Sequence, residues 1–155
     1  MDSIDRSIMN VIRLDARIAN VSIARRLGLA PSVVLDRMRK LKRNGYIRGF
    51  ETRFDDAKLG LLLTAFVELD TGERIGETGI GQILADMPEV REVYDVAGAC
   101  SYLLKVVVRD TEALRNLMSR IGQIEGVEKS KTTLVLHTIK DALSAEIEVE
   151  SPGQE

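Results

Sequence analysis

Tryptophan is absent from this chain, and aromatic residues of all kinds make up 4% of it, so its core must be aliphatic. There is one cysteine, Cys100, which has no partner for an internal disulfide and so points to a reducing compartment. One histidine, His137, and one cysteine fall short of the ligand set of a zinc site, so neither a metal nor another cofactor is expected. No apolar run approaches the roughly 18 residues of a membrane span. No basic-then-apolar stretch of the secretory type opens the sequence either, so a cytoplasmic, nucleoid-associated protein without a membrane partner is expected. Paired nucleophile and base, phosphate-cradling loop and dinucleotide fingerprint are all missing. The single histidine removes the commonest general base from all but one position, so catalysis is not expected.

What the chain does have is charge, unevenly placed. The net charge of −2 over 155 residues divides into +7 for residues 1–54, from twelve Lys/Arg and five Asp/Glu, and −9 for residues 55–155, from ten and nineteen. A basic front and an acidic back imply two domains with different partners, and a polyanion such as double-stranded DNA suits the first.

The front half reads as three helices. Ile4, Ile8, Val11 and Ile12 recur on one helical face, with Asp2 or Ser3 available as its cap. A second helix is expected to start at Asn20 as cap, to pack through Val21, Ile23, Ala24 and Leu27, and to close at Gly28. Pro31 suits the first position of a third helix, with Ala30 as a weak cap and Gly45 at its end. Residues 46–54 alternate like a short hairpin or wing. Helix, glycine turn and helix form a helix-turn-helix pattern, whose second helix enters the major groove.

On a helical wheel, Val34, Leu35, Met38 and Leu41 take one side of the third helix. Ser32, Val33, Asp36, Arg37, Arg39, Lys40 and Arg43 take the other, with four cations and one anion among them. Arg37 is the candidate for direct reading of a base, because its planar fork matches guanine bidentately. Ser32 suits a base or a phosphate. Arg25, Arg26, Arg39, Lys40 and Arg43 suit phosphates, with Arg48 or Arg53 as flanking contacts.

Residues 55–61 read as a linker, after which the periodicity changes. Leu62 to Leu69 is strand-like, and Ile80, Ile83, Leu84 and Met87 space as a helix ended by Pro88. Val90 to Val96 and Tyr102 to Val108 follow as strands. Leu114, Leu117, Met118 and Ile121 form a helical face, and a last strand is expected around Thr132 to Ile139, with His137 as a structural strand residue. The order β-α-β-β-α-β over 62–143 is the ferredoxin-like arrangement, so the fold class is α+β, a winged helix-turn-helix domain followed by a ferredoxin-like domain. Such a sheet buries one face under its helices, and a second copy of the chain is the economical cover for the other. Residues 144–155 form an acidic tail, expected in part to extend the last strand and to be loose at its end.

Several segments together resemble the Lrp/AsnC (feast/famine) family of transcription regulators over nearly the full length. They are Ile4-Asp5-Arg6-Ser7-Ile8-Met9, Arg17-Ile18, Leu27-Gly28-Leu29-Ala30-Pro31-Ser32, Arg37-Met38-Arg39-Lys40-Leu41 and Asn44-Gly45-Tyr46-Ile47-Arg48-Gly49-Phe50. In the second half Val96-Ala97-Gly98, Tyr102-Leu103-Leu104-Lys105 and Gly126-Val127 extend the match. The resemblance implies homodimers built through the C-terminal sheets, assembling into tetramers, octamers or larger discs. It also implies an amino-acid-like effector bound between subunits at a loop that in many members reads G-D-x-D-Y. Here the loop is Gly98-Ala99-Cys100-Ser101-Tyr102, with Ala99 and Ser101 in place of both aspartates. A carboxylate there would pair with an effector's ammonium group; Ser101 retains a single hydroxyl and Gly98 its backbone groups. Thr132 and Thr133 are the matching second wall.

Three readings of this loop stay open: an amino acid held by other contacts, a different small molecule, or assembly without a ligand. Cys100 reads as a small half-buried apolar residue, with a redox switch as the other possibility. For the basic half, the rivals to a sequence-specific regulator are an architectural DNA-binding protein with low sequence preference and a regulator that has lost its effector response.

Overall fold

A computed structural model describes residues 1–142 and 144–149, and these divide into two compact units, 1–52 with 140–142 and 144–149, and 53–139. In the first unit, α1 (Ser3–Leu14), α2 (Asn20–Leu27) and α3 (Pro31–Arg43) close on one aliphatic cluster of Ile8, Val11, Ile12, Ile23, Ala24, Val34 and Leu41. Asp2 caps α1 in a reciprocal box: the Asp5 amide donates to the Asp2 carboxylate at 2.8 Å, and the Asp2 amide donates to that of Asp5 at 3.2 Å.

Helix α2 starts one residue earlier than its expected cap implied. Ala19 occupies the cap position with no side-chain hydrogen bond, and Asn20 is already helical. Gly28 closes α2 at φ +67°, a left-handed conformation that glycine reaches without a Cβ penalty, and the Leu29 amide then donates to the Ala24 carbonyl at 2.9 Å. In α3 the inward stripe is Val34, Met38 and Leu41, at i, i+4 and i+7, with Val34 and Leu41 buried and Met38 half-buried. Leu35, expected with them, lies off that stripe and is exposed.

The strands of the short hairpin or wing expected over 46–54 are not formed, as those residues contain no strand. Of their apolar side chains only Ile47 packs on the helical cluster, while Tyr46, Phe50 and Phe54 stay exposed. A lone two-stranded ribbon with no face to bury has little to hold it. The region read as a linker contains a short 3₁₀ turn, Ala57–Leu59.

In the second unit the order is β1 (Leu63–Thr71), α4 (Gly79–Ala85), β2 (Val90–Asp95), β3 (Tyr102–Val108), α5 (Thr111–Ile121) and β4 (Val127–Leu134). The four strands are antiparallel in the order β2-β3-β1-β4. Strand alternation sends Ala65, Val67 and Leu69 of β1 and Tyr102, Leu104, Val106 and Val108 of β3 to one face. There they meet Ile80 and Leu84 of α4 and Leu114, Leu117 and Ile121 of α5. Phe66 and Glu68 of β1 and Leu103 and Lys105 of β3 fall on the opposite face, which no helix of the unit packs.

Strand β4 runs five residues short of the expected end. Its pairing with β1 sets it between Gly126 and the Val135 amide, which donates to the Thr64 carbonyl at 2.9 Å. His137 therefore follows the strand, exposed, beside the exposed Leu136 and Ile139. Among the described residues of the acidic tail, 144–149, none extends a strand, and residues 146–148 instead bond to α1 within the first unit; its expected loose end lies outside the described residues. Among the described residues, no helix is long and apolar enough to cross a membrane.

Leu104 is fully buried at the centre of the sheet, so Leu104→Ala should destabilise the second unit by about 2–5 kcal/mol, the cost of a core cavity. Urea unfolding followed by far-ultraviolet circular dichroism will read this as a lower midpoint; an unchanged midpoint would mean that the site collapses or that the residue is not in the core.

Candidate nucleic-acid interface and effector loop

The outward side of α3 gathers Ser32, Val33, Asp36, Arg39, Lys40 and Arg43, all exposed, on an arc opposite the inward stripe. Three of the six are cations. The anion, Asp36, lies 3.8 Å from Arg39, and both side chains are mostly in water, so the pair contributes little stability and leaves Arg39 free to exchange partners. Arg25 and Arg26, also exposed, project from the last turn of α2 just before the Gly28 bend. Their positions complement the negative end of the α2 dipole while keeping both guanidinium groups in water.

Arg37 is not on that arc. It sits at the boundary between the outward side and the core, and its Nη1 donates to Asp2 and to Asp5, each at 2.7 Å. Asp5 is 6% exposed, the buried charged residue among those described. A carboxylate taken out of water needs a fixed cation, and Arg37 supplies it. The backbone amide of Asp5, and next the Arg37 guanidinium, hold the Asp2 carboxyl below its ordinary value of 3.8. The side chain expected to read a base thus fastens α3 to the start of α1. Lys42, which the wheel left unassigned, places its Nζ 4.7 Å from the ring centre of Phe50 and holds the chain leaving α3. The aromatic eight residues on is the signal in the sequence that accompanies it. Arg48 and Arg53 lie exposed in the strandless segment beyond.

In the second unit, the Gly98–Ser101 loop joins β2 to β3. Gly98 and Ala99 are exposed, and Cys100 and Ser101 are half-buried. Ser101 is tied to the end of β1 twice: its amide donates to the Leu69 carbonyl at 2.8 Å, and its Oγ accepts from the Thr71 amide at 3.1 Å. Burial, then the charges of Glu68 and Asp70, push the Cys100 thiol up against the weaker pull of Lys131, which favours the unreactive thiol. Glu68 and Lys131 pair at 3.1 Å. These two and Asp70 place charge beside the loop that the motif comparison did not single out; their signal is the alternation of β1, which sends 66, 68 and 70 to the face away from the core.

Tyr102, expected in the effector site, is buried on the helix side. Its hydroxyl donates to Glu73 at 2.7 Å and its ring lies over Gly81, where an added Cβ would stand 2.8 Å from the ring. The other Glu73 oxygen accepts from the Ile80 amide at 2.8 Å, at the start of α4. Thr132 and Thr133 part in the same way. Thr132 pairs with the core residue Val67, and its Oγ1 lies 3.9 Å from the Met118 sulfur of α5, whereas Thr133 pairs with Phe66 on the open face. The loop and Thr133 therefore stand apart from Tyr102 and Thr132, which belong to the packed side.

A three-helix unit with a basic, exposed second helix of a helix-turn-helix, followed by a ferredoxin-like unit, defines a two-domain DNA-binding regulator. The Lrp/AsnC ligand binding domain model matches residues 64–144, and a winged helix-turn-helix DNA-binding model matches residues 1–48. The chain belongs to the Lrp/AsnC family of transcription regulators. It is 32% identical to the leucine-responsive regulatory protein of Escherichia coli K12 over 145 residues, 92% of this chain and 88% of that protein. Its fold is similar to an AsnC family transcriptional regulator from Agrobacterium tumefaciens, with a TM-score of 0.88 and 26% identity over 94% of this chain and 96% of that one. It is also similar to the feast or famine regulatory protein of M. tuberculosis complexed with L-methionine, with a TM-score of 0.87 and 31% identity over 94% and 99% of the two chains.

Replacing Arg37 with Ala should cost of the order of 2 kcal/mol, less than a fully buried pair because Arg37 keeps part of its surface in water. The folded state favours the Asp2 carboxylate, so this contribution is present above about pH 4 and is lost as the pH falls through the lowered value. Stability curves of wild type and Arg37→Ala should therefore converge in acid; a constant difference down to pH 2 would refute the pairing. Burial, then Glu73, raise the Tyr102 hydroxyl to about 12. One of the three tyrosines should titrate near there by absorbance at 295 nm, and Tyr102→Phe should remove that step.

Proposed function

We propose that this regulator reads DNA with the exposed arc of α3. Ser32 and Val33 at its first turn face base edges, Arg39, Lys40 and Arg43 hold phosphates, and Arg25 and Arg26 clamp the backbone beside the turn. Asp36 lies within the arc and disfavours phosphates at its position. Arg37 contributes by orienting α3, not by touching a base. The observation that carries this reading is that the outward residues Ser32, Val33, Asp36, Arg39, Lys40 and Arg43 of α3 are exposed while Val34 and Leu41 opposite them are buried and Met38 is half-buried. Two copies joined through the open faces of their sheets present two such helices to successive major grooves, about 34–36 Å apart. Dimers of this kind stack further into tetramers or octamers in the nucleoid.

The effector in this reading is an amino acid held at the Gly98–Ser101 loop. Support comes from the family's ligand-binding domain over 64–144 and from the methionine complex of the M. tuberculosis protein. With Ala99 and Ser101 in place of aspartates, the ammonium group takes its countercharge from Asp70 or Glu68 on the adjoining end of β1, and Thr133 lines the same face. Tyr102 and Thr132 support the site from behind the sheet.

Fluorescence anisotropy on DNA from upstream of the protein's own gene, against random competitor, tests the first part. Arg39→Ala and Lys40→Ala should each weaken binding to all sequences and lower the salt slope by about one. Arg37→Ala should weaken specific and random DNA alike. Loss confined to the specific site would return Arg37 to base reading, and binding abolished by competitor would favour an architectural protein. Thermal shift against an amino-acid panel tests the second part: an effector at 100 times its dissociation constant should stabilise by about 2.7 kcal/mol, and the double variant Glu68→Gln, Asp70→Asn should remove that shift. Silence across the panel would mark a regulator without an amino-acid response.

A further inference from the structure

Helix α1 carries a second stripe that neither the hydrophobic core nor the DNA face uses. Arg6, Asn10 and Arg13 recur at i, i+4 and i+7, so they share one side of the helix. Residues 146–148 lie along it. The Asn10 side chain bonds both backbone groups of one residue: its Nδ2 donates to the Ile147 carbonyl at 2.6 Å, and its Oδ1 accepts from the Ile147 amide at 2.9 Å. An amide placed this way acts as a neighbouring strand would and recognises extended backbone whatever its side chain. Arg6 donates to the Glu148 carbonyl at 3.0 Å, and Arg13 stands 3.8 Å from the Glu146 carboxylate. The Arg13 Nε is buried without a hydrogen-bond partner, so a carboxylate drawn a little closer would satisfy it.

We propose that the Arg6–Asn10–Arg13 stripe is a docking site for the chain's own acidic segment 146–148, and that the docked segment weakens the pull of this unit on DNA. Residues 140–149 bring three anions and one cation onto a unit whose residues 1–52 carry +6, from eleven Lys/Arg and five Asp/Glu. Surface charges act over a Debye length of about 10 Å at 0.1 M salt, so anions held on α1 subtract from the potential that DNA meets at low salt. Nothing in the tail sequence has to match a partner beyond one extended residue pair and its flanking carboxylates. Release of the segment then raises DNA affinity without any change in α3.

Hydrogen exchange on the full-length protein tests the docking without DNA, so its outcome is separate from the reading of the DNA face. The peptide covering 144–149 should exchange more slowly than the exposed residues 136–139, and Asn10→Ala should bring the two to the same rate while peptides of α3 stay unchanged. Equal rates in the wild type, or no response to Asn10→Ala, would overturn the site. Protection that disappears on dilution would place a second copy's tail there and overturn the own-chain assignment. In anisotropy, Asn10→Ala and the double variant Glu146→Gln, Glu148→Gln should each tighten DNA binding by about three-fold near 50 mM salt, and the gain should shrink near 300 mM. Loosened exchange with unchanged DNA affinity would overturn the electrostatic role.

Discussion

A four-stranded sheet with both helices on one side satisfies only half of its own surface, and much of this protein's behaviour follows from that constraint. The packed side is dry and aliphatic: β1 and β3 deliver their alternate residues into α4 and α5. The other side mixes Phe66 and Leu103 with the Glu92–Lys105 and Glu68–Lys131 pairs. That mixture suits contact with an identical face, since ion pairs at a rim fix register while apolar groups contribute the area. The Gly98–Ser101 loop opens beside the same face, so the proposed assembly and the proposed ligand site would draw on neighbouring atoms.

The DNA-binding unit solves a different problem. Three short helices of 8–13 residues are marginal alone, and their cluster of seven buried aliphatics is small. The tie from Arg37 to Asp2 and Asp5 adds a directional constraint that aliphatic packing cannot supply. It turns one cation away from the exposed arc of α3 and ties that helix to the start of α1.

The helices and strands were legible because their periods are clear, and the HTH was legible because Gly28 and Pro31 punctuate it at fixed places. What was hidden depended on distance in the sequence. Arg37 falls at the edge of a helical wheel, and only the placement of Asp5, 32 positions earlier, decides which way it turns. Thr132 and Thr133 look equivalent as neighbours, yet the pleat sends them to opposite faces. The end of β4 was misplaced because Leu136 and Ile139 look like strand residues, whereas the pairing with β1 ends at Leu134 opposite Ala65, with one further bond from the Val135 amide to Thr64. The strands expected over 46–54 are absent for the converse reason, a good local pattern whose side chains, Ile47 apart, find little to pack on.

Ser101 and Tyr102 are adjacent in the chain and fastened on opposite sides of the sheet, one to the end of β1 and the other, through Glu73, to the first turn of α4. A loop riveted on both sides cannot flap over a ligand like a lid; it behaves as a fixed sill. A molecule that pushes on it must shift β1 and α4 together, so strain applied at the sill is passed across the thickness of the domain instead of being absorbed where it arises.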